Sequence, residues 1–297
     1  MSARARRYER FVARTKRSLA CHHNFGLHAS EHMHPRSAPM KAKRMLTRLL
    51  AAAVYGTART IAPAVYAQDG LLSVHCHDFL QDPAFKRAYE RGVAAIGGVD
   101  NYHWHWRIHV GLWVAFSASK LEGDFVECGV NRGFLSSAIM EYLDWDSLSK
   151  TFYLLDTFSG LDKRFVSDEE VRRGALDQNA LRLKNAFYVS GVDSVRSNFS
   201  RWRNVRIVPG AIPETLKMVE AKKLAYLHLD MNCAPPEIAA ATFFWDRLVP
   251  GAFVLLDDYA YFGFRSQKLA MDKFAAENGV KICSLPTGQG LLVKPPQ

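Results

Sequence analysis

Residues 124–140 constrain the fold of this chain more than any other stretch. Phe125-Val126 lead into Glu127, Gly129 and Gly133 open a turn, and Phe134-Leu135-Ser136-Ser137-Ala138-Ile139-Met140 continues as a helical run. A strand, a glycine turn and a helix in this order make the first unit of a doubly wound sheet. The turn borders a ligand crevice, because glycine lets the backbone approach a ligand closely and the start of the helix presents free N–H groups. The spacing is Glu-x-Gly-x-x-x-Gly, not the Gly-x-Gly-x-x-Gly of dinucleotide enzymes, and it sets an acid where a pyrophosphate would be repelled. The ligand to expect is cationic or hydroxyl-rich.

The next apolar run, Thr151-Phe152-Tyr153-Leu154-Leu155, ends in Asp156, where a doubly wound sheet places an acid for ribose hydroxyls. Two acids at consecutive strand ends suit S-adenosylmethionine. The α/β rhythm continues with an insertion over 161–203, strands at 205–209 and 224–230, a helix at 236–247, a strand at 252–257 and a helix at 265–278. Strands at 280–284 and 289–294 flank the turn Pro286-Thr287-Gly288 and form a hairpin. The expected fold class is α/β: a doubly wound, Rossmann-like sheet, mostly parallel, with an antiparallel C-terminal hairpin strand and an N-terminal helical extension. The insertion follows the strand end that carries Asp156, so it reads either as a lid over the crevice or as a solvated helical excursion.

Two further strands end in acids: Leu227-His228-Leu229 runs into Asp230, and Val254-Leu255-Leu256 into Asp257 and Asp258. Neighbouring strands lie about 5 Å apart, so three such carboxylates repel one another unless a cation neutralises them or a proton is shared. Hard oxygen ligands in this number suit Mg²⁺, which can also hold two adjacent substrate hydroxyls. The plainer alternative is that strand-end aspartates cap the turns that follow them.

Taken together, the segments DFVECGVNRG, YLLDTFSGL and LVPGAFVLLDDY resemble class I methyltransferases, and within these the macrocin O-methyltransferase family, over roughly residues 120–295. The resemblance implies S-adenosylmethionine-dependent, Mg²⁺-dependent O-methylation of a sugar-like or other small-molecule hydroxyl. It places Glu127, Cys128, Gly129, Gly133 and Ser136 at the methionine end of the cofactor. Asp156 and Phe158 fall at the ribose, Gly210 and Ala211 beside the adenine, and Asp230, Asp257 and Asp258 at the metal. Asn232 stands where the family commonly has a further acid and cannot act as a base, which leaves Asp230 or His105 for proton removal. A noncatalytic cofactor-binding protein of the same fold and a NAD(P)-dependent oxidoreductase are the alternative readings.

Charge is confined to one end. Residues 1–48 hold twelve Lys and Arg against Glu9 and Glu31, and so account for the whole net charge of +10. The rest is neutral, which argues against a nucleic-acid partner. This basic segment also carries His22, His23, His28, His32 and His34 in a disordered-type composition. Residues 40–67 have the outline of a secretory leader but are interrupted by Arg48 and Arg59. They read equally as an amphipathic helix on the catalytic domain or as a peripheral membrane contact, and no transmembrane span is expected. Scattered cysteines and the inferred cofactor favour the cytoplasm. The divisions are therefore a tail at 1–48, a helical extension at 49–120 and a methyltransferase domain at 121–297. In the extension, His103, His105 and His109 alternate with tryptophans, as a pocket lining, as satisfied polar positions, or as part of a homo-oligomer interface.

Overall fold

The computed structural model describes residues 65–296. The basic tail, its histidines and most of the leader-like segment lie outside the described residues. The first described element is a hairpin where the sequence suggested a helix: β1 (Tyr66–Gln68) pairs antiparallel with β2 (Leu71–Ser73). The turn is Asp69-Gly70, both residues with positive φ (48° and 74°), and Asp-Gly is the sequence that a two-residue hairpin turn favours. Helix α1 (Pro83–Ala95) starts with Asp82 accepting from the Ala84 N–H at 2.8 Å and with a proline in its first turn, where no N–H is missed. Helix α2 (His105–Ser119) follows.

The main sheet is built from β3 (Asp124–Cys128), β4 (Phe152–Asp156), β5 (Val205–Pro209), β6 (Leu224–Leu229), β7 (Leu248–Leu256), β8 (Cys283–Ser284) and β9 (Gly290–Val293), in the order β5-β4-β3-β6-β7-β9-β8. Strands β5, β4, β3, β6 and β7 are parallel, while β9 runs antiparallel to both β7 and β8. The expected terminal hairpin is present, and its second strand inserts between β7 and the edge strand β8. Strand β7 begins earlier than its apolar core suggested, because Leu248 already pairs with Leu224 before the register shifts past Pro250 and Gly251.

The helices are α3 (Phe134–Tyr142), α4 (Asp168–Arg172), α5 (Ala175–Lys184) and α6 (Asp193–Phe199), then α7 (Ala234–Phe244) and α8 (Arg265–Glu277). Both faces of the sheet are covered, as parallel strands with near-continuous apolar sequence require. Phe125, Phe152, Leu154, Tyr226 and Leu255 face α1, α2 and α3, while Val126, Leu155, Leu227, Val254 and Leu256 face α7 and α8. Helices α1 and α2 therefore share one core with the sheet. Their close approach is made at Gly92 and Gly111, where a Cβ would come within 2.6 Å of Phe134 and of Leu135.

Strand order reverses at β3, which has β4 on one side and β6 on the other. In doubly wound sheets that switch point opens the ligand crevice at the carboxyl ends of the strands. Glu127, Asp156, Asp230 and Asp257 all lie at those ends.

Candidate active site

The turn after β3 is tied from several sides. Gly129 has φ 91°, and a Cβ on it would meet the Asp230 carbonyl at 1.9 Å, so no side chain fits there. Gly133 caps α3 at φ 84° against the Phe199 ring. The backbone N–H groups of Val130 and Asn131 each donate to Asp156 Oδ2 at 2.7 Å, and the Phe158 N–H donates to Oδ1 at 2.6 Å. Asp156 therefore braces the turn as well as bordering the crevice, which leaves it few free lone pairs for a ligand. Gly210 donates to the Asp156 carbonyl at 2.9 Å, and Ala211 follows it at the end of β5. Asp156, Phe158, Gly210 and Ala211 are thus gathered as the sequence suggested.

Glu127 is buried, with Oε1 2.9 Å from His228 Nδ1 and Oε2 without a partner. Ser136 is fully buried at the start of α3, and its hydroxyl is also unpartnered. Buried polar atoms without partners are rare in folded proteins, and these two lie on either side of the same glycine turn. The Cys128 thiol does not join them: it is fully buried in the core facing α7 and α8, where desolvation pushes its pKa well up, so only its backbone borders the turn.

A second group gathers at the ends of β6 and β7. Burial, with the charges of Asp257 and Asp258, pushes Asp230 well above the ordinary carboxylate range, and burial together with Asp257 raises Asp258 to about 7. These two acids compete for charge, and a cation or a shared proton relieves them. Asp257 differs. Although burial opposes its ionisation, the Arg107 guanidinium, His228 and Gln289 hold it well below the usual range. Arg107 Nη1 donates to Asp257 Oδ2 and, at 3.1 Å, to its carbonyl, and Gln289 Nε2 donates to Oδ1 at 3.0 Å.

Asp257, expected as a third metal ligand, is therefore already engaged by a cation of the protein. Among the described residues, one ligand atom from each of Asp230, Asp257 and Asp258 does not come within 4.8 Å of the other two. Convergence of strand ends alone did not anticipate an arginine between them.

His105, expected as a base, is also placed elsewhere. Its ring stacks on Tyr89 at 4.6 Å, its Nδ1 lies 3.4 Å from the Tyr66 hydroxyl, and burial lowers its pKa. The histidine at the strand ends is His228. Burial alone would lower its pKa, but Asp257, 3.8 Å from Nε2, and Glu127 raise it to about 10. Parallel pairing puts His228 beside Glu127 in the sheet, and a lone polar residue in an apolar strand was the available signal.

The other unforeseen members are Arg107, Asp69 and Arg182. Asp69, in the hairpin turn, accepts from Arg107 Nε at 3.2 Å. Arg182, from the insertion, donates to Asn232 Oδ1 at 2.8 Å and to the Tyr188 hydroxyl at 2.5 Å, while Asn232 Nδ2 donates to Asp230 Oδ1 at 3.1 Å. The insertion thus reaches the crevice through Arg182.

A family model described as macrocin-O-methyltransferase (TylF) matches residues 114–283. The chain is 29% identical over 151 residues to the 8-demethyl-8-(2,3-dimethoxy-alpha-L-rhamnosyl)-tetracenomycin-C 4'-O-methyltransferase of Streptomyces olivaceus, covering 48% of this chain and 55% of that protein. It is 29% identical over 146 residues to the mycinamicin III 3''-O-methyltransferase of Micromonospora griseorubida, covering 46% and 55%. The chain spans about half the length of the curated relatives it matches. Among solved structures, the O-methyltransferase NovP superposes with a TM-score of 0.55 at 22% identity, over 73% of this chain and 93% of that one, a likeness of fold.

Proposed function

The chain belongs to the macrocin O-methyltransferase family, whose model matches more than half of it, and from that membership we propose an S-adenosylmethionine-dependent O-methyltransferase acting on a hydroxyl of a small, sugar-like acceptor. Glu127 carries this reading: a buried carboxylate held on one oxygen by His228 and unpartnered on the other, beside a glycine turn that leads to the unpartnered Ser136 hydroxyl. A buried acceptor left without a partner is costly, and the ammonium of the cofactor's methionine end would relieve it. Gly129 and Gly133 give the backbone access, Asp156 and Phe158 border the ribose position, and Gly210 and Ala211 the adenine position. When bound, S-adenosylmethionine supplies a methyl group activated by its sulfonium.

The protein's part is alignment, exclusion of water and custody of a proton. Asp230, whose proton affinity is raised, is assigned as acceptor of the hydroxyl proton. Asp230 and Asp258 are a donor set that fits Mg²⁺, which favours a few carboxylates together with substrate oxygens; such an ion would hold the acceptor oxygens and lower the pKa of the reacting hydroxyl. One observation favours a second, metal-independent reading, since Arg107 and Arg182 already bring positive charge to these acids. The acceptor class follows the relative named for a rhamnosyl-bearing compound. The site of action proposed is the cytoplasm, and among the described residues no helix is long and apolar enough to cross a membrane.

Calorimetric titration of S-adenosylmethionine and its demethylated product, with and without Mg²⁺, tests this. Cofactor binding weakened about tenfold or more by Glu127→Gln is expected, from loss of a charge-assisted contact. No binding of either compound by the wild type overturns the function. Mg²⁺ binding lost in Asp258→Asn and kept in Glu127→Gln supports the metal, whereas turnover that survives chelation moves the chemistry to the arginines.

A further inference from the structure

Asp100, His103 and His105 lie ahead of the family-matched segment and outside the strand-end acids, in a D-x-x-H-x-H run. We propose that they form a site for one divalent transition-metal ion of the zinc class. Each offers a ligand atom, and the three atoms lie within 4.8 Å of one another. Asp100 Oδ2 and His103 Nδ1 are 3.3 Å apart, which is already the separation of two ligands on one tetrahedral ion with bonds of about 2.0–2.2 Å. Two imidazoles and one carboxylate suit zinc and its neighbours, whereas Mg²⁺ prefers oxygen alone.

The ligands are held in place by the groups around them. Asp100 Oδ1 accepts the backbone N–H groups of Tyr102 and His103 at 3.0 and 2.8 Å, and Oδ2 accepts the Tyr89 hydroxyl at 2.8 Å. His105 is fixed by its stack on Tyr89 and by the Tyr66 hydroxyl. These are the outer contacts that orient metal ligands elsewhere in proteins. Three protein ligands leave a fourth position for water, and a cavity of about 340 Å³ lined by His105, Tyr66 and His77 adjoins the cluster.

An ion here joins three elements, the link before α2, helix α1 through Tyr89 and strand β1 through Tyr66. The residues between the ligands form the wall beside the glycine turn: Trp104 packs edge-on against Phe134, and Tyr102 stacks on Trp104 and meets Phe187 of the insertion. The ion therefore acts as a clamp on that wall.

Cobalt(II) titration of the full chain, read by visible absorption and followed by zinc displacement, tests the site. The five tail histidines bind such ions too, so the background carries His22, His23, His28, His32 and His34 replaced by Asn. One tight equivalent is expected to bind in that background, beside any weaker ion at the strand-end acids. Affinity should fall about 100-fold or more in His103→Asn, which keeps a residue tolerant of the positive φ of 55°, and roughly tenfold in Tyr89→Phe, while Asp258→Asn leaves it unchanged. Loss of all binding with the tail histidines, full binding in both His103→Asn and Tyr89→Phe, or loss in Asp258→Asn overturns the proposal. If His103→Asn does not fold, Tyr89→Phe decides.

Discussion

Arg107 holds two buried acids in place beside the strand ends. Its side chain is 8% exposed and lies between Asp69 and Asp257, with the Tyr261 ring 4.7 Å from its guanidinium carbon. Only a planar fork serves both acids at once, through Nε to Asp69 and Nη1 to Asp257, so lysine is not a conservative replacement. Arg107→Met takes the guanidinium charge from both Asp69 and Asp257, leaving only His228 and Gln289 on the latter, and should lower unfolding stability by about 3–5 kcal/mol in urea titrations. Adding Asp69→Asn should restore part of that loss, since one of the two orphaned charges is then gone; additive losses in the double variant would show that the pair is not coupled. Glu127, Asp156 and Asp230 were legible in the sequence because each ends an apolar strand. Arg107 was not, because nothing in a His/Trp-rich helix start says which strand end the residue will meet.

At the scale of elements, the insertion over 161–203 is docked, not free. Glu170 of α4 accepts the Ala234 N–H at the start of α7 at 2.7 Å, and the glycine turn grips the segment after α5. In that grip Asn131 Nδ2 donates to the Phe187 carbonyl at 3.0 Å, and Asn131 Oδ1 accepts the Val189 N–H at 2.9 Å. Asn131 has φ 51°, so Asn131→Gly preserves the turn and removes only the grip. Hydrogen exchange should then quicken over 186–191 and stay unchanged in β6, because local opening follows local contacts. Equal protection in variant and wild type would place the anchor elsewhere. The order of the α/β elements was readable because strand and helix periods differ, yet the docking of the insertion was not, since its anchors are single side chains distant in sequence. The β1–β2 hairpin is a different kind of miss: Asp69-Gly70 stood in plain view, but three-residue strands carry little period and the leader-like composition before them hid the turn.

For the whole molecule, the buried acids set how stability depends on pH. Burial raises Asp69 to about 6, Asp258 to about 7 and Glu237 to about 8, the last helped by the charges of Asp258 and Glu170. An acid whose folded pKa is raised holds its proton in the folded state after the unfolded chain has released it. Its penalty is absent below the unfolded value, grows as pH rises, and is complete above the folded value. His228, raised to about 10, contributes stability that is present below about 6.5 and lost as pH climbs toward 10, which tilts the curve the same way. Asp257, held low, matters only in strong acid. The protein should therefore be most stable on the acid side of neutrality. Glu237 is the acid to test, because it is carried by a helix and not by a strand end, in the first turn of α7, where Oε1 accepts from Gln267 Nε2 at 3.0 Å and the Met231 N–H at 3.3 Å. Gln keeps that acceptor and removes the charge. Glu237→Gln should melt with the wild type near pH 4.5 and roughly 5 °C higher near pH 8.5, a few kcal/mol relieved in a chain of this size. An equal Tm difference at both pH values would mean that the substitution acts through packing and that the Glu237 carboxyl is not what tilts the curve.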